Sequence, residues 1–164
     1  MTKLESVDVF KQIMGSYPSG IAIISTFDEE NNPIGLTVNS FASVSLDPLL
    51  VLWSLDKKSS HMETFKKAKG FAVHISAEEQ SDLCWAFAGK SKDRFAEANW
   101  SRSENDLPVI DGSLGVMECK TFQSIEAGDH VIFIGQIVDI EKHDKEPLLY
   151  FRRNVGGIPA GWPD

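Results

Sequence analysis

The chain has 164 residues, of which 42% are hydrophobic and 24% are charged, and a formal net charge of −8 at pH 7. This length and composition are typical of one ordinary globular domain over residues 1–164, and the acidic balance argues against a general nucleic-acid-binding protein. No apolar run is long enough to cross a membrane, so we expect a cytoplasmic protein in which Cys84 and Cys119 are reduced and buried.

The first third of the chain predicts one helix followed by strands. Apolar residues recur at helical spacing from about Glu5 to Gly15, which predicts a helix. The β-branched run from Gly20 to Phe27 predicts a strand. The turn-rich segment Asp28–Pro33 then returns the chain as a hairpin into a second strand, from Gly35 to Leu46.

This second strand has an unusual polar face. Between its apolar positions it carries short hydrogen-bonding side chains, namely Thr37, Asn39, Ser43 and Ser45. An exposed strand face usually carries Lys, Glu and Gln, so the pattern fits a polar sheet face and the wall of a ligand site equally well. Asp47-Pro48 ends the strand, and the continuous apolar run Leu49–Leu52 predicts a further strand that is buried on both faces.

A helix start follows shortly afterwards. Ser60 and Glu63 have the spacing of a capping box, which predicts a helix from Ser60 to about Ala68. The N-terminus of a helix offers free backbone N–H groups and a positive dipole end, and Lys57 and Lys58 come just before it. The alternative is a capped helix beside two solvated lysines. Together with the hydroxyl-rich strand, this start favours a ligand that has a hydrogen-bonding head and a phosphate tail.

The rest of the chain alternates between strands and short helices. We expect a strand over Phe71–Ser76, a helix over Glu78–Phe87 and a charged crossing over Lys90–Phe95, followed by an irregular loop or a short strand over Trp100–Val109. Two strands, from Gly112 to Phe122 and from His130 to about Glu141, should then flank a turn at Ala127–Asp129, and a last strand is expected over Glu146–Phe151. His74 falls on the alternate face of its strand, which predicts a surface or interface histidine.

Several common sites are absent from the sequence. It has no glycine-rich dinucleotide fingerprint, no P-loop, no nucleophile elbow and no cluster with metal-ligand spacing. An oxidoreductase is still compatible with these absences, because a cofactor can carry the chemistry.

Motifs along most of the chain resemble those of the flavin reductase family. They are Thr37-Val38-Asn39-Ser40-Phe41, Ser43-Val44-Ser45-Leu46-Asp47-Pro48, Leu50-Val51-Leu52, Gly128-Asp129-His130 and Pro147-Leu148-Leu149. The resemblance implies a mostly β fold, a six- or seven-stranded antiparallel split β-barrel of the FMN-binding type with peripheral helices. It also implies a homodimer in which the second subunit completes the flavin groove.

The resemblance further implies which residues form the site. The expected flavin-binding residues are Thr37, Val38, Asn39, Ser40, Ser54, Leu55, Lys58, Ser59, Ser60, Phe87, Arg94 and Phe95, with the phosphate near Lys58, Ser59, Ser60 and Arg94. His130 is the expected catalytic residue, at the edge of the flavin or the nicotinamide; the alternative is that it only pairs with Asp129 to fix the turn. We expect no metal.

The implied activity is NAD(P)H-dependent reduction of FMN or FAD, by hydride transfer to flavin N5. The reduced flavin would serve a flavin-dependent monooxygenase. One alternative is a flavin-binding or electron-carrier protein without NAD(P)H oxidase activity, which the unusual Arg152-Arg153 tail favours. A third possibility is a structural β-domain that binds no flavin.

Overall fold

The fold is built around one seven-stranded sheet in a computed structural model that describes residues 2–162. The helices are α1 (Lys3–Gly15), α2 (Met62–Lys67) and α3 (Ser81–Ala88), with short 3-10 helices at Glu78–Gln80 and Arg94–Glu97. The strands are β1 (Ser19–Gly20), β2 (Ala22–Phe27), β3 (Pro33–Val38), β4 (Ala42–Leu46), β5 (Leu49–Asp56), β6 (Gly70–Ile75), β7 (Trp100–Arg102), β8 (Pro108–Ile110), β9 (Gly115–Ala127), β10 (His130–Lys142), β11 (Leu149–Phe151) and β12 (Asn154–Gly156). Within residues 2–162, none of the helices has the length and apolar character needed to cross a bilayer.

The main sheet is antiparallel throughout, in the order β3-β2-β6-β9-β10-β5-β4. Its two edge strands, β3 and β4, are joined by only residues 39–41. Because so short a link spans only a few ångströms per residue, the edges must lie close together and the sheet must roll up. The prediction of a mostly β fold with six or seven antiparallel strands and peripheral helices is confirmed, and the main sheet has seven.

The prediction of one continuous strand from Gly35 to Leu46 is wrong. The chain leaves the sheet after Val38 and re-enters it at Ala42 on the opposite edge. Ser40 stabilises this crossing, because its hydroxyl accepts from the backbone N of Ser54 (3.0 Å) and donates to the carbonyl of Ser54 (3.2 Å). The alternating pattern of the sequence continued through the crossing, so periodicity gave no sign of it.

Strand β5 is buried on one face only, which corrects the prediction for Leu49–Leu52. Val51, Trp53 and Leu55 are buried, whereas Leu50 and Leu52 between them are half-buried.

Two hydrophobic clusters lie on opposite faces of β2. Ala22 and Ile24 point into the roll of the sheet, where they join an aromatic core that includes Trp53 and Phe133. Ile21 and Ile23 point outward and pack with residues of α3 and its neighbours, among them Cys84, Phe87, Phe95, Ile110 and Leu148. This outer cluster lies next to the groove described in the next section.

His74 is fully buried, so the prediction of a surface or interface histidine is wrong. Its ring lies between β2 and the hairpin of β7 and β8. Nδ1 lies 2.9 Å from the carbonyl of Ile23, and Nε2 accepts from the backbone N of Ile110 at 3.0 Å. These partners select the neutral ring that carries its proton on Nδ1, because Nε2 must stay unprotonated to accept.

Stability should therefore fall as the solution becomes acidic. Burial lowers the pKa of His74 from 6.5 to about 4. Between pH 6.5 and 4, His74 is protonated in the unfolded chain but remains neutral in the folded protein. The free energy of unfolding should therefore drop over this range, by up to about 3 kcal/mol. Urea unfolding across this range measures the slope. A His74→Gln variant should have a smaller slope, and equal slopes for both proteins would contradict the assignment.

Candidate functional site

A groove with a volume of about 660 Å³ lies beside the outer cluster, at the edge of the sheet. We call it the large groove, and it is lined by residues 33–37, 59–61 and 87–92 together with Arg94 and Phe95. Strand β3 supplies one wall, the end of α3 and the following loop supply the second, and the loop before α2 supplies the third. Of the residues predicted from the sequence, the groove brings together Thr37, Ser59, Ser60, Phe87, Arg94 and Phe95.

The charge of the large groove is opposite to that of the chain. Lys90, Lys92, Arg94 and His61 line it, and no Asp or Glu is among its lining residues within the part of the chain that the structure describes. The whole chain has a formal net charge of −8. A concentration of cationic and hydroxyl groups in an otherwise acidic protein is the electrostatic character of a site for an anion.

Arg94 is held in place by backbone carbonyls on two walls of the groove. Nη1 donates to Gly35 O (2.8 Å) and Nη2 donates to Gly89 O (2.6 Å), so the side chain joins β3 to the end of α3. Its Nε is buried and has no partner within residues 2–162. Burial lowers the pKa of Arg94, but arginine titrates so far above neutrality that the guanidinium stays charged.

Aromatic side chains press against the backbone of β3. A Cβ atom at Gly35 would lie 2.8 Å from Cε1 of Phe87 and 3.1 Å from Cε2 of Phe95, so these rings fit only against a residue without a side chain. The two rings also meet edge to face, with 4.9 Å between their centroids. Gly35 therefore lets the aromatic floor and the strand wall approach each other closely.

The loop before α2 does not form the predicted capping box. The helix begins at Met62 after His61 as the N-cap residue, and no side chain caps it. Two successive turns precede the helix, in which Ser59 N donates to Asp56 O (2.9 Å) and Met62 N donates to Ser59 O (3.2 Å). Ser59 and Ser60 still line the groove, but they do so from a turn and not from a helix start.

A smaller and more apolar groove, of about 220 Å³, adjoins the large groove at Thr37 and Ala88. We call it the small groove, and it is lined by Ile21, Thr37, Val38, Asn39, Cys84, Trp85, Ala88, Tyr150 and Val155. It therefore holds the predicted residues Val38 and Asn39. The hydroxyl of Thr37 donates to the carbonyl of Cys84 (2.6 Å), which fixes the ridge between the two grooves.

Four of the predicted flavin-binding residues line neither groove. Ser40 and Ser54 hydrogen-bond to each other at the chain crossing. Leu55 is buried in the main core, so only its backbone is available for the expected contact. Lys58 is exposed, and its backbone N donates to Oδ1 of Asp56 (2.8 Å).

His130 lies at the tip of the hairpin between β9 and β10 and is partly exposed. Its Nδ1 lies 2.7 Å from Oδ1 of Asp129, and this hydrogen bond lowers the pKa of the Asp129 carboxyl. The tip is tied to the loop that leads into the large groove, because Lys57 N donates to Asp129 O (2.9 Å) and Lys57 pairs with Glu126 (2.6 Å). His130 is not among the lining residues of either groove in the single chain.

Among the lining residues that the sequence did not predict, five have side chains suited to contact a charged or aromatic ligand. They are His61, Lys90, Lys92, Trp85 and Tyr150. The lysines were interpreted as part of a charged loop, and His61 as a helix residue, because a single sequence does not say which parts of a surface converge. Gly35, which was treated as the start of a strand, was the one available signal of a close approach.

Among the described residues, the grooves contain neither a metal centre nor an activated thiol. Within residues 2–162, no group of three or more His, Cys, Asp or Glu side chains is placed to hold a metal ion. Burial raises the pKa of the Cys84 thiol, so this sulfur is not an activated nucleophile. The arrangement is suited to binding and orienting an anionic ligand that has an extended ring.

Comparisons with known proteins agree on one family. Residues 14–159 match the family model described as the flavin reductase like domain. The reductase component of a flavin-dependent trigonelline monooxygenase from Acinetobacter baylyi is 40% identical over 93% of this chain, which spans only about half of that protein's length. An FMN reductase (NADH) from Agrobacterium fabrum is 38% identical, over 86% of this chain and 80% of its own length.

The same agreement is found among solved structures. The NADH:FAD oxidoreductase of Streptomyces globisporus C-1027, solved with NAD and FAD fragments, superposes with a TM-score of 0.90. It is 26% identical to this chain, and the match covers 98% of both chains.

Proposed function

This chain belongs to the flavin reductase like domain family, and on that premise we propose that it is an NAD(P)H:flavin oxidoreductase. It takes FMN or FAD into the two adjoining grooves and receives NADH or NADPH as the co-substrate. The reduced flavin then serves the oxygenase of a two-component monooxygenase. This partner is proposed because the trigonelline monooxygenase component is a relative.

The observation that carries the proposal is the pairing of a cationic groove with an apolar one. The large groove supplies Arg94, Ser59 and Ser60 for the flavin phosphate, and its cations face no carboxylate among its lining residues within residues 2–162. The small groove supplies apolar walls and the polar edge of Asn39 for the ring system. Its volume, joined to the 660 Å³ of the large groove, lies within the range of sites for cofactors of this size.

The residues of the chain would bind and orient the flavin and the nicotinamide nucleotide, and the bound flavin would supply the redox chemistry as the hydride acceptor. Thr37 forms the fixed ridge between the grooves, since its hydroxyl is committed to the carbonyl of Cys84. Arg94 keeps β3 and the end of α3 together around the ligand. Such positioning lowers the barrier by several kcal/mol, at the order of magnitude known for well-oriented reactants.

His130 remains the proposed catalytic residue, at the edge of the flavin or the nicotinamide. Its Nδ1 is engaged by Asp129, so Nε2 is the atom available to a ligand. The backbone bond from Lys57 to Asp129 ties this hairpin tip to the loop that lines the large groove.

We also propose a homodimer. No residue of α1 is buried, although its apolar residues include Leu4, Phe10 and Ile13 with exposed fractions of 62% or more. Further exposed apolar residues lie on β4, β9 and β10, among them Leu46, Phe122 and Ile140. A short amphipathic helix is stable mainly when its apolar face is packed. We therefore expect a second copy of the chain to pack against the exposed apolar face of α1. Sedimentation equilibrium should give twice the 18.2 kDa mass of the chain.

Flavin-dependent oxidation of NADH or NADPH tests the activity. Purified protein should consume one of the two nucleotides faster when FMN or FAD is added than without flavin. Tight flavin binding with no turnover of either nucleotide would reject the reductase and favour the electron carrier.

The cytoplasm is the proposed compartment, because Cys84 and Cys119 are both free thiols.

A further inference from the structure

We propose that His61 is a phosphate-binding residue of the large groove and that it couples the binding of a flavin nucleotide to the uptake of a proton. The inference rests on the proposed function, because it takes the ligand to be a flavin that carries phosphate. It adds a residue that neither the sequence motifs nor the family resemblance singled out, and it gives that residue a role that can be measured.

The imidazole of His61 is available to a ligand. His61 is the N-cap residue of α2, yet its side chain makes no capping hydrogen bond. Its backbone N donates to the hydroxyl of Ser59 (3.2 Å), which fixes the residue in the turn. The residue is half-buried and lines the large groove next to Ser60. The ring therefore reaches the groove without having to break an existing cap.

Within residues 2–162, no carboxylate lines the large groove beside His61, and the charged residues that line it are cationic. Arg94 faces it from the 3-10 helix at Arg94–Glu97, and Lys90 and Lys92 line the same groove from the loop before that helix. Strand β3 contributes residues 33–37, none of which titrates. On its own segment, Lys57 is paired with Glu126, and Glu63 lines a different groove beside Asp28.

This environment disfavours a charged imidazole until an anion arrives. Burial, and then the charge of Arg94, lower the pKa of His61. A phosphate bound between Arg94 and His61 compensates the repulsion and stabilises the imidazolium, so the pKa must rise in the complex. Linkage then requires proton uptake on binding and tighter binding as the pH falls through the interval between the two pKa values.

A His61→Gln variant isolates this effect. Glutamine keeps a hydrogen-bond donor of similar reach but does not titrate in this range. Dissociation constants for FMN and for riboflavin, which has no phosphate, are measured by flavin fluorescence at about pH 6 and about pH 8. The FMN phosphate itself ionises near pH 6, and this affects the dissociation constants of both proteins. The contribution of the ligand therefore cancels when the constant of the variant is divided by that of the wild type.

The FMN ratio is the dissociation constant of the variant for FMN divided by that of the wild type. It should be about five at the lower pH, as expected when a charge-assisted hydrogen bond is replaced by a neutral one, and should approach one at the higher pH. The riboflavin ratio should be close to one at both. Titration calorimetry in two buffers of different ionisation enthalpy should detect proton uptake for the wild type and less for the variant. His143→Gln, which removes a partly exposed histidine that lines neither groove, should behave like the wild type.

An FMN ratio that is the same at both pH values would overturn the inference, and so would a riboflavin ratio that changes in parallel with it. Absence of flavin binding by the wild type would instead overturn the proposed function, so the two failures are distinguishable. Thermal melts establish that the variant is folded. Should His61→Gln fail that check, His61→Asn provides the same comparison.

Discussion

Replacing Arg94 with alanine is expected to weaken FMN binding about 100-fold. A charge-assisted hydrogen bond to phosphate contributes about 1.5–3 kcal/mol, and the upper value corresponds to a little over two powers of ten in affinity. The substitution also removes the bonds from Nη1 to Gly35 O and from Nη2 to Gly89 O, so the walls of the large groove lose the side chain that joins them. Flavin fluorescence titration measures the affinity, with riboflavin as the ligand that lacks phosphate.

Arg94→Lys is the matched control for charge. Lysine keeps the positive charge in the groove, but a single ammonium on a flexible stem does not reproduce the planar fork that reaches two carbonyls. We expect an affinity for FMN between those of the wild type and the alanine variant, about tenfold below the wild type. If the alanine variant binds FMN within twofold of the wild type, Arg94 is only a structural link between Gly35 and Gly89.

The strands and helices were largely predictable because their periodicity is local. The run from Gly20 to Phe27 is almost entirely buried in the structure, in keeping with its β-branched composition. The crossing at residues 39–41 was not predictable, since an alternating pattern continues through it while the chain passes from one edge of the sheet to the other. The crossing is stabilised by a pair of hydrogen bonds between Ser40 and Ser54, a contact that local periodicity does not encode.

The site was predictable only in part, and for a related reason. Thr37, Ser59 and Arg94 belong to segments that the family resemblance marks, and they line one groove. His61 belongs to no motif and lines the groove only because the turn at residues 56–61 delays the helix. His74 was misassigned because strand alternation assumes that one face is solvated, whereas the hairpin of β7 and β8 covers that face of β6.

Replacing Trp53 with alanine is expected to remove most of the stability of the domain. Trp53 is completely buried, stacked on Phe133 with 4.8 Å between ring centroids and meeting Phe65 edge to face at 4.8 Å. Truncating an aromatic side chain in a core costs about 3–5 kcal/mol, and whole domains are stable by only about 5–15 kcal/mol. Urea unfolding followed by circular dichroism measures the loss, at one protein concentration because the stability of a dimer depends on it.

Trp53→Phe should be far milder, since two opposing terms nearly cancel. The smaller ring leaves a cavity, but the buried Nε1 of Trp53 has no hydrogen-bond partner within residues 2–162. Removing an unpaired buried donor recovers about 1–3 kcal/mol, so the variant should lie within about 1 kcal/mol of the wild type. Trp85→Ala, at a tryptophan that is 50% exposed, should also change stability little. Equal losses for Trp53→Ala and Trp53→Phe would contradict this expectation, and would mean that a phenyl ring cannot replace the packing of the larger indole.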